Sequence, residues 1–224
     1  MRTQDQNEIK DPYEPPPAPP SYEALKRALD LVIAAFILIL FSPLWLLVGA
    51  AIRLTSEGPA LFRRGMVGRG GRPFTYFKFR TMREGDDSHH REWLHAFVTR
   101  DAPYAGADFI VRDDPRVTRI GALLRRLSLD EVPQLLNVLR GEMSVVGPRP
   151  PIPYEFGLYD DRAKQRLAVK PGITGLYQIT ARSSVPFSTM LQIDLDFIAR
   201  RSLGLDMWII LRTPVAMLNG RGAG

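Results

Sequence analysis

An uncharged apolar run at residues 31–52, interrupted once by Ser42-Pro43, restricts this chain more than any other feature. Drawn as one helix it measures ~33 Å, about one hydrocarbon thickness. Proline there removes a backbone hydrogen bond, and its ring presses on the carbonyl four residues back, so a kink is predicted at Ser42-Pro43. A secretory signal is a poor fit. The run follows a long polar leader and ends without a small-x-small cleavage site. Lys26 and Arg27 precede the run, whereas Arg53, Arg63 and Arg64 follow it. A simple span is basic mainly on its cytoplasmic flank. Two readings therefore stand: one kinked transmembrane helix, or a helix that enters, bends and returns. Basic residues on both flanks favour the return.

Residues 1–24 mix charges with prolines, including Asp11-Pro12-Tyr13-Glu14-Pro15-Pro16-Pro17. Such a stretch buries too little apolar surface to offset its ordering entropy, and a disordered or polyproline-like tail is expected. The remainder of the 224 residues leaves room for one globular domain. A net charge of +6 points to anionic partners, without separating nucleic acid from acidic phospholipid or nucleotide phosphates. The absence of cysteine excludes disulfides, thiolate metal sites and a cysteine nucleophile. Three histidines, two of them adjacent at His89-His90, suit a hydrolytic zinc centre poorly.

Residues 53–83 hold eight Lys/Arg against the single acid Glu57. Gly68 to Gly71 forms a turn, and Pro73-Phe74-Thr75-Tyr76-Phe77-Lys78-Phe79-Arg80 alternates as a strand does. Tyr76, Lys78 and Arg80 then share one face, Phe77 and Phe79 the other. That face either looks at an anionic ligand or forms a solvated basic surface beside acidic headgroups. Residues 84–115 read as a polar insertion with a short helical pattern and no visible chemistry. Residues 116–140 read as two helical pieces broken at Leu127-Ser128. Ser128 or Asp130 would cap the second piece, with Pro133 in its first turn. Asp130-Glu131 would then sit at the positive end of a helix dipole, which favours charged carboxylates. In Gly147-Pro148-Arg149-Pro150 the backbone of Arg149 is restricted by the following proline. The guanidinium is thus partly pre-positioned as a bidentate phosphate clamp, or the segment is simply a proline turn. Residues 203–218 are too short and too charged to span, and they suit an interfacial helix or a core helix.

In order along the chain stand Lys26-Arg27 with Asp30, Ser42-Pro43, and Phe77-Lys78-Phe79-Arg80-Thr81-Met82. Next come Asp114-Pro115-Arg116-Val117-Thr118-Arg119-Ile120-Gly121 and Ser128-Leu129-Asp130-Glu131-Val132-Pro133-Gln134-Leu135. Met143-Ser144-Val145-Val146-Gly147-Pro148-Arg149-Pro150 and Lys170-Pro171-Gly172-Ile173-Thr174-Gly175 close the set. Over about residues 25–215 this ordered set resembles the bacterial sugar transferases, the small monotopic polyprenyl-phosphate phosphoglycosyl transferases. The resemblance implies a re-entrant membrane helix broken at Ser42-Pro43. It implies transfer of a sugar-1-phosphate from a nucleotide sugar, by family habit a UDP-sugar, to undecaprenyl phosphate, with release of the nucleoside monophosphate. It also implies that Asp130 is the nucleophile and a Mg²⁺ ligand, with Glu131 as its partner. Lys78, Arg125, Arg149, Arg182, Asp194 and Asp206 fall on the family's substrate-binding residues. Tyr177 departs from the tryptophan often found there, a change that bears on base or sugar recognition.

The expected fold is α/β-type, mainly helical with a small β-sheet or hairpin, plus the re-entrant membrane helix and interfacial helices. The expected parts are a disordered tail at 1–24, the membrane helix at 25–55, a catalytic domain at 56–218 and a flexible end at 219–224. The bacterial inner membrane is the expected location, with the catalytic domain on its cytoplasmic face. Partners are the nucleotide sugar, undecaprenyl phosphate, membrane lipid and downstream glycosyltransferases, but not nucleic acid. The competing reading is a membrane-anchored nucleotide- or polyanion-binding module without turnover. A third is a scaffold that recruits a partner through its Pro-rich tail.

Overall fold

The structure, a computed structural model, describes residues 14–218 apart from 84, 86–87, 102–115 and 182–184. The first thirteen residues of the expected tail and the expected flexible end at 219–224 lie outside the described residues.

The apolar run folds as two helices, α1 (Tyr22–Leu40) and α2 (Ser42–Thr55), bent by 65°. Phe41 carries the break, at φ −100° and ψ 15°. Pro43 falls in the first turn of α2, where a missing N–H leaves no partner wanting. Helix α1 begins three residues ahead of position 25. Among the described residues no single helix is long and apolar enough to cross a bilayer, but the bent pair together has the length and composition of a broken span or re-entrant loop. Its outer surface is apolar, with Val32, Phe36, Ile39, Leu46, Leu47 and Leu54 more than 60% exposed.

The predicted alternation forms a hairpin. Strand β1 (Leu61–Val67) pairs antiparallel with β2 (Pro73–Phe79), in a register that sets Phe62 opposite Lys78 and Arg64 opposite Tyr76. Phe77 and Phe79 are buried, as the face assignment requires. Helix α3 (Ser88–Thr99) occupies the insertion, and α4 (Arg119–Arg126) follows, capped by the Thr118 hydroxyl accepting from Gly121 N–H. Gly121 lies against the Thr81 backbone so closely that a Cβ there would collide with the carbonyl.

The second helical piece differs from the expectation. Ser128 adopts a left-handed conformation at φ 52° and makes no capping bond. A 3-10 turn at Leu129–Glu131 intervenes, and α5 (Gln134–Arg140) begins only after Pro133. Neither Ser128 nor Asp130 caps α5. The left-handed residue redirects the chain, so that Asp130 turns inward and ends 2% exposed.

Two three-residue strands, β3 (Ser144–Val146) and β4 (Gly172–Thr174), pair in parallel. A Cβ on Gly172 would collide with the amide of Gly147, so this crossing requires bare backbone on both sides. Between them lie the short helices α6 (Pro153–Phe156) and α7 (Asp161–Lys164). Helix α8 (Leu176–Thr180), α9 (Phe187–Arg200) and α10 (Leu203–Leu218) complete the chain. The main core joins Ala34 of α1, Leu135 and Val138 of α5, Val145 and Val146 of β3, Phe197 of α9 and Ile209 of α10. On α10, Met207, Trp208, Leu211 and Val215 remain exposed, while Ile209 enters the main core.

Candidate active site

The strand alternation that buries Phe77 and Phe79 points Lys78 the other way. Its ammonium lies 2.6 Å from Asp130 Oδ2, with the carboxylate almost fully buried. Lys78, Arg125, Asp130, Glu131, Gln134 and Arg149 line one groove of about 2200 Å³. Arg125 sits in the last turn of α4, and its Nε donates to Thr81 Oγ1 at 2.9 Å. Helix α5 is clipped to the hairpin by Asn137, whose Nδ2 donates to the Thr75 carbonyl and whose Oδ1 accepts from Phe77 N–H. Gln134 adds a 2.6 Å bond to the Tyr76 hydroxyl. The turn bearing both acids is therefore fixed relative to the strand bearing Lys78.

Burial pushes the Glu131 carboxyl above its ordinary 4.5, and neighbouring Asp130 pushes it further. Lys78, Arg149 and the hydrogen bond with Gln134 act in the opposite direction. Burial is also the main reason the Tyr76 hydroxyl stays protonated, with Glu131 next. The groove thus holds two adjacent carboxylates in a low-dielectric setting with three cationic side chains around them.

Two expected residues lie elsewhere. Asp194 on α9 is buried away from the groove, 2.7 Å from the Nε of Arg166. Its carboxyl is raised by burial against the pull of that arginine. Asp206 on α10 accepts from Tyr22 Oη and Lys26 Nζ, both at 3.0 Å, which ties the start of α1 to the C-terminal helix. Arg182 lies outside the described residues. Asp30 accepts from Ser144 Oγ and Val145 N–H, while both Nη atoms of Arg27 donate to the Val138 and Leu139 carbonyls at the end of α5.

The profile of the family described as bacterial sugar transferase matches residues 21–220, nearly the whole described chain. This protein belongs to that family. Among its relatives is the exopolysaccharide production protein ExoY of Rhizobium meliloti, 42% identical over 199 residues, covering 88% of this chain and 87% of that one. A UDP-glucose:undecaprenyl-phosphate glucose-1-phosphate transferase of Caulobacter vibrioides is 43% identical over 201 residues, covering 86% and 69%. An undecaprenyl-phosphate galactose phosphotransferase of Salmonella typhimurium is 38% identical over 203 residues, covering 89% of this chain and 41% of that one.

Within this bacterial sugar transferase, sequence reasoning missed several residues that shape the groove. Gln134 stands only within one of the motifs and Asn137 in none, and no local signal marks that they face a strand some 60 residues earlier. His90 and Phe97, in the insertion read as lacking chemistry, line the groove wall. Glu155, Tyr159 and Arg166 form a buried polar set behind Arg149, and no local pattern marks them.

Proposed function

We propose that this protein transfers a sugar-1-phosphate from a nucleotide sugar, with a uridine nucleotide as donor, to undecaprenyl phosphate, and so opens the synthesis of an exopolysaccharide, O-antigen or related glycan. One observation carries the reading. A buried Lys78–Asp130 ion pair lies in a groove with Arg125 and Arg149, and the same fold carries a bent apolar helix pair. Relatives named as undecaprenyl-phosphate sugar phosphotransferases supply the substrate classes.

In the first step an Asp130 carboxylate oxygen bonds to the phosphorus that carries the sugar. The bond from that phosphorus to the bridging oxygen breaks, and the nucleoside monophosphate leaves with the electron pair. In the second step an oxygen of the lipid phosphate attacks the same phosphorus, and the Asp130–phosphorus bond breaks to restore the carboxylate. Both nucleophiles are anions, so no base need abstract a proton. Lys78 orients the Asp130 carboxylate, while Arg125 and Arg149 offer guanidinium forks to the phosphate oxygens.

The donor set suits Mg²⁺. That ion takes one or two carboxylates and completes its shell with phosphate and water, and Asp130 and Glu131 are such a pair. Among the described residues no cluster of three or more His, Asp or Glu stands ready to enclose a metal. When bound, Mg²⁺ would neutralise phosphate charge as the two anions approach. Asp130 and Glu131 would hold it. In this reading α1 and α2 enter and leave the same leaflet of the bacterial inner membrane, and α10 lies at the interface on the cytoplasmic side.

The test is purified protein with Mg²⁺, undecaprenyl phosphate and a panel of nucleotide sugars, read out as released nucleoside monophosphate. Wild type should release monophosphate with at least one donor and form a covalent phosphosugar adduct by mass spectrometry. Asp130→Asn should lose both. Retention of full release by Asp130→Asn would remove the nucleophile assignment, and no release with any donor would remove the transferase reading. A binding module would keep its nucleotide affinity in Asp130→Asn and show no release in either protein.

A further inference from the structure

Arg149 is gripped at both ends by buried groups that do not touch the groove. Glu155, on α6, is fully buried and reaches back six residues, with Oε2 3.5 Å from Arg149 Nη1. Its other oxygen accepts from the Tyr159 hydroxyl at 2.6 Å. That hydroxyl in turn accepts from Arg166 Nη1 at 2.5 Å. Arg166, 2% exposed, spends its remaining nitrogens on Asp194 Oδ2 at 2.7 Å and on the backbone carbonyl of Arg149 at 3.3 Å. The bonds therefore have a direction. Arg166 donates to Tyr159, Tyr159 donates to Glu155, and Glu155 is left to accept from Arg149. Charges in the set balance as two guanidinium groups against two carboxylates.

We propose that Glu155, held by Tyr159, Arg166 and Asp194, is a positioning residue that fixes the Arg149 guanidinium for the donor's phosphates. This rests on the transferase reading above. A flexible arginine must be ordered whenever a phosphate binds, at an entropic cost, and a guanidinium already pinned avoids most of it. The flanking prolines restrict only the backbone of Arg149, so the side chain needs a separate hold. The buried set provides one. It also gives Asp194 a part in the site without any contact with substrate, acting through Arg166 and Tyr159.

The experiment is a double-mutant cycle joined to a labelling measurement. Glu155→Gln keeps shape and removes charge, and Tyr159→Phe removes one hydroxyl while its ring contacts with Phe156 and Phe187 remain. Each should raise the donor KM roughly 10-fold with a smaller change in kcat. In an Arg149→Ala background the same changes should cost less than about 2-fold, because the residue through which they act is gone. Independent multiplication of the effects would overturn the proposal, since a residue that only supports the fold lowers activity whatever stands at 149. So would an Arg149→Ala protein with unchanged donor KM. Modification of Arg149 by phenylglyoxal, followed by mass spectrometry, needs no turnover. It should be faster in Tyr159→Phe and Glu155→Gln than in wild type, and equal rates would overturn the proposal. If no donor is turned over by wild type, the transferase reading fails while the labelling rates still decide whether Arg149 is held.

Discussion

Asp130 and Glu131 are consecutive, yet their surroundings assign them different work. Asp130 presents a carboxylate to the Lys78 ammonium at 2.6 Å, whereas Glu131 is held above its ordinary 4.5 chiefly by burial. A carboxyl raised in the folded state keeps a proton that the unfolded chain has already lost. The stability linked to it is complete below about pH 4.5 and is lost as pH rises through the higher folded value. Glu131→Gln removes that loss. Its Tm should match wild type near pH 4 and exceed it once the pH has risen through the folded value, measured without Mg²⁺. Its kcat should fall about 100-fold, the scale of losing a group aimed at the transition state. A variant with wild-type turnover would leave Glu131 as packing alone. The pair of acids was legible from sequence as the reactive centre of the resemblance. Its manner of support was not. Asp130 was read as a helix cap because Ser/Thr/Asp before an apolar stripe is the usual signature of one. The left-handed Ser128 that defeats this reading is a backbone choice with no mark in a serine.

Among the elements, the hairpin was the most readable, since seven alternating residues state both strand and faces. Strands β3 and β4 were not, because three residues are too few to show a period. Their pairing depends on Gly147 and Gly172, which the sequence presents only as turn formers. Gly172→Ala should cost about 1–3 kcal/mol through overpacking, and should also weaken donor binding by shifting the loop that begins at Gly147 and carries Arg149. Thermal melting and donor KM report the two effects. Asp30 and Arg27 link α1 to the elements on either side of the site, one holding β3 and the other the end of α5. Asp30→Ala leaves the Val145 N–H buried without its acceptor, at about 1–3 kcal/mol. The Tm of the detergent-solubilised protein should fall accordingly, and transfer activity should fall with it. Unchanged melting would mean that β3 finds another acceptor.

For the whole molecule, the tail gives way to the body earlier in the chain than composition indicated. Residues 1–24 read as one disordered tail, but Arg201 donates to the Pro16 carbonyl and Tyr22 is 2% exposed against α10. Removal of residues 1–13 should leave transfer near normal in vitro. Removal of 1–24 also takes Tyr22 from the buried Asp206 carboxylate, and should lower Tm by several degrees. If instead the shorter deletion abolishes transfer in vitro, the tail has a direct part in the reaction. The class of the fold, its apolar run and its basic groove face were readable because each is a local pattern in composition or period. The hydrogen bonds and ion pairs that seat them join residues far apart, as in the hydrogen bond of Tyr22 to Asp206 across 184 positions. That separation also sets a clock on biosynthesis. At ~5–20 residues per second a ribosome needs about 10–40 s to make Asp206 after Tyr22 has been added. From the addition of Ile52 to the end of that interval the most apolar part of the protein is complete while its polar anchor does not yet exist. A bilayer or a chaperone that covers α1 and α2 must therefore act before the C-terminal helix can dock.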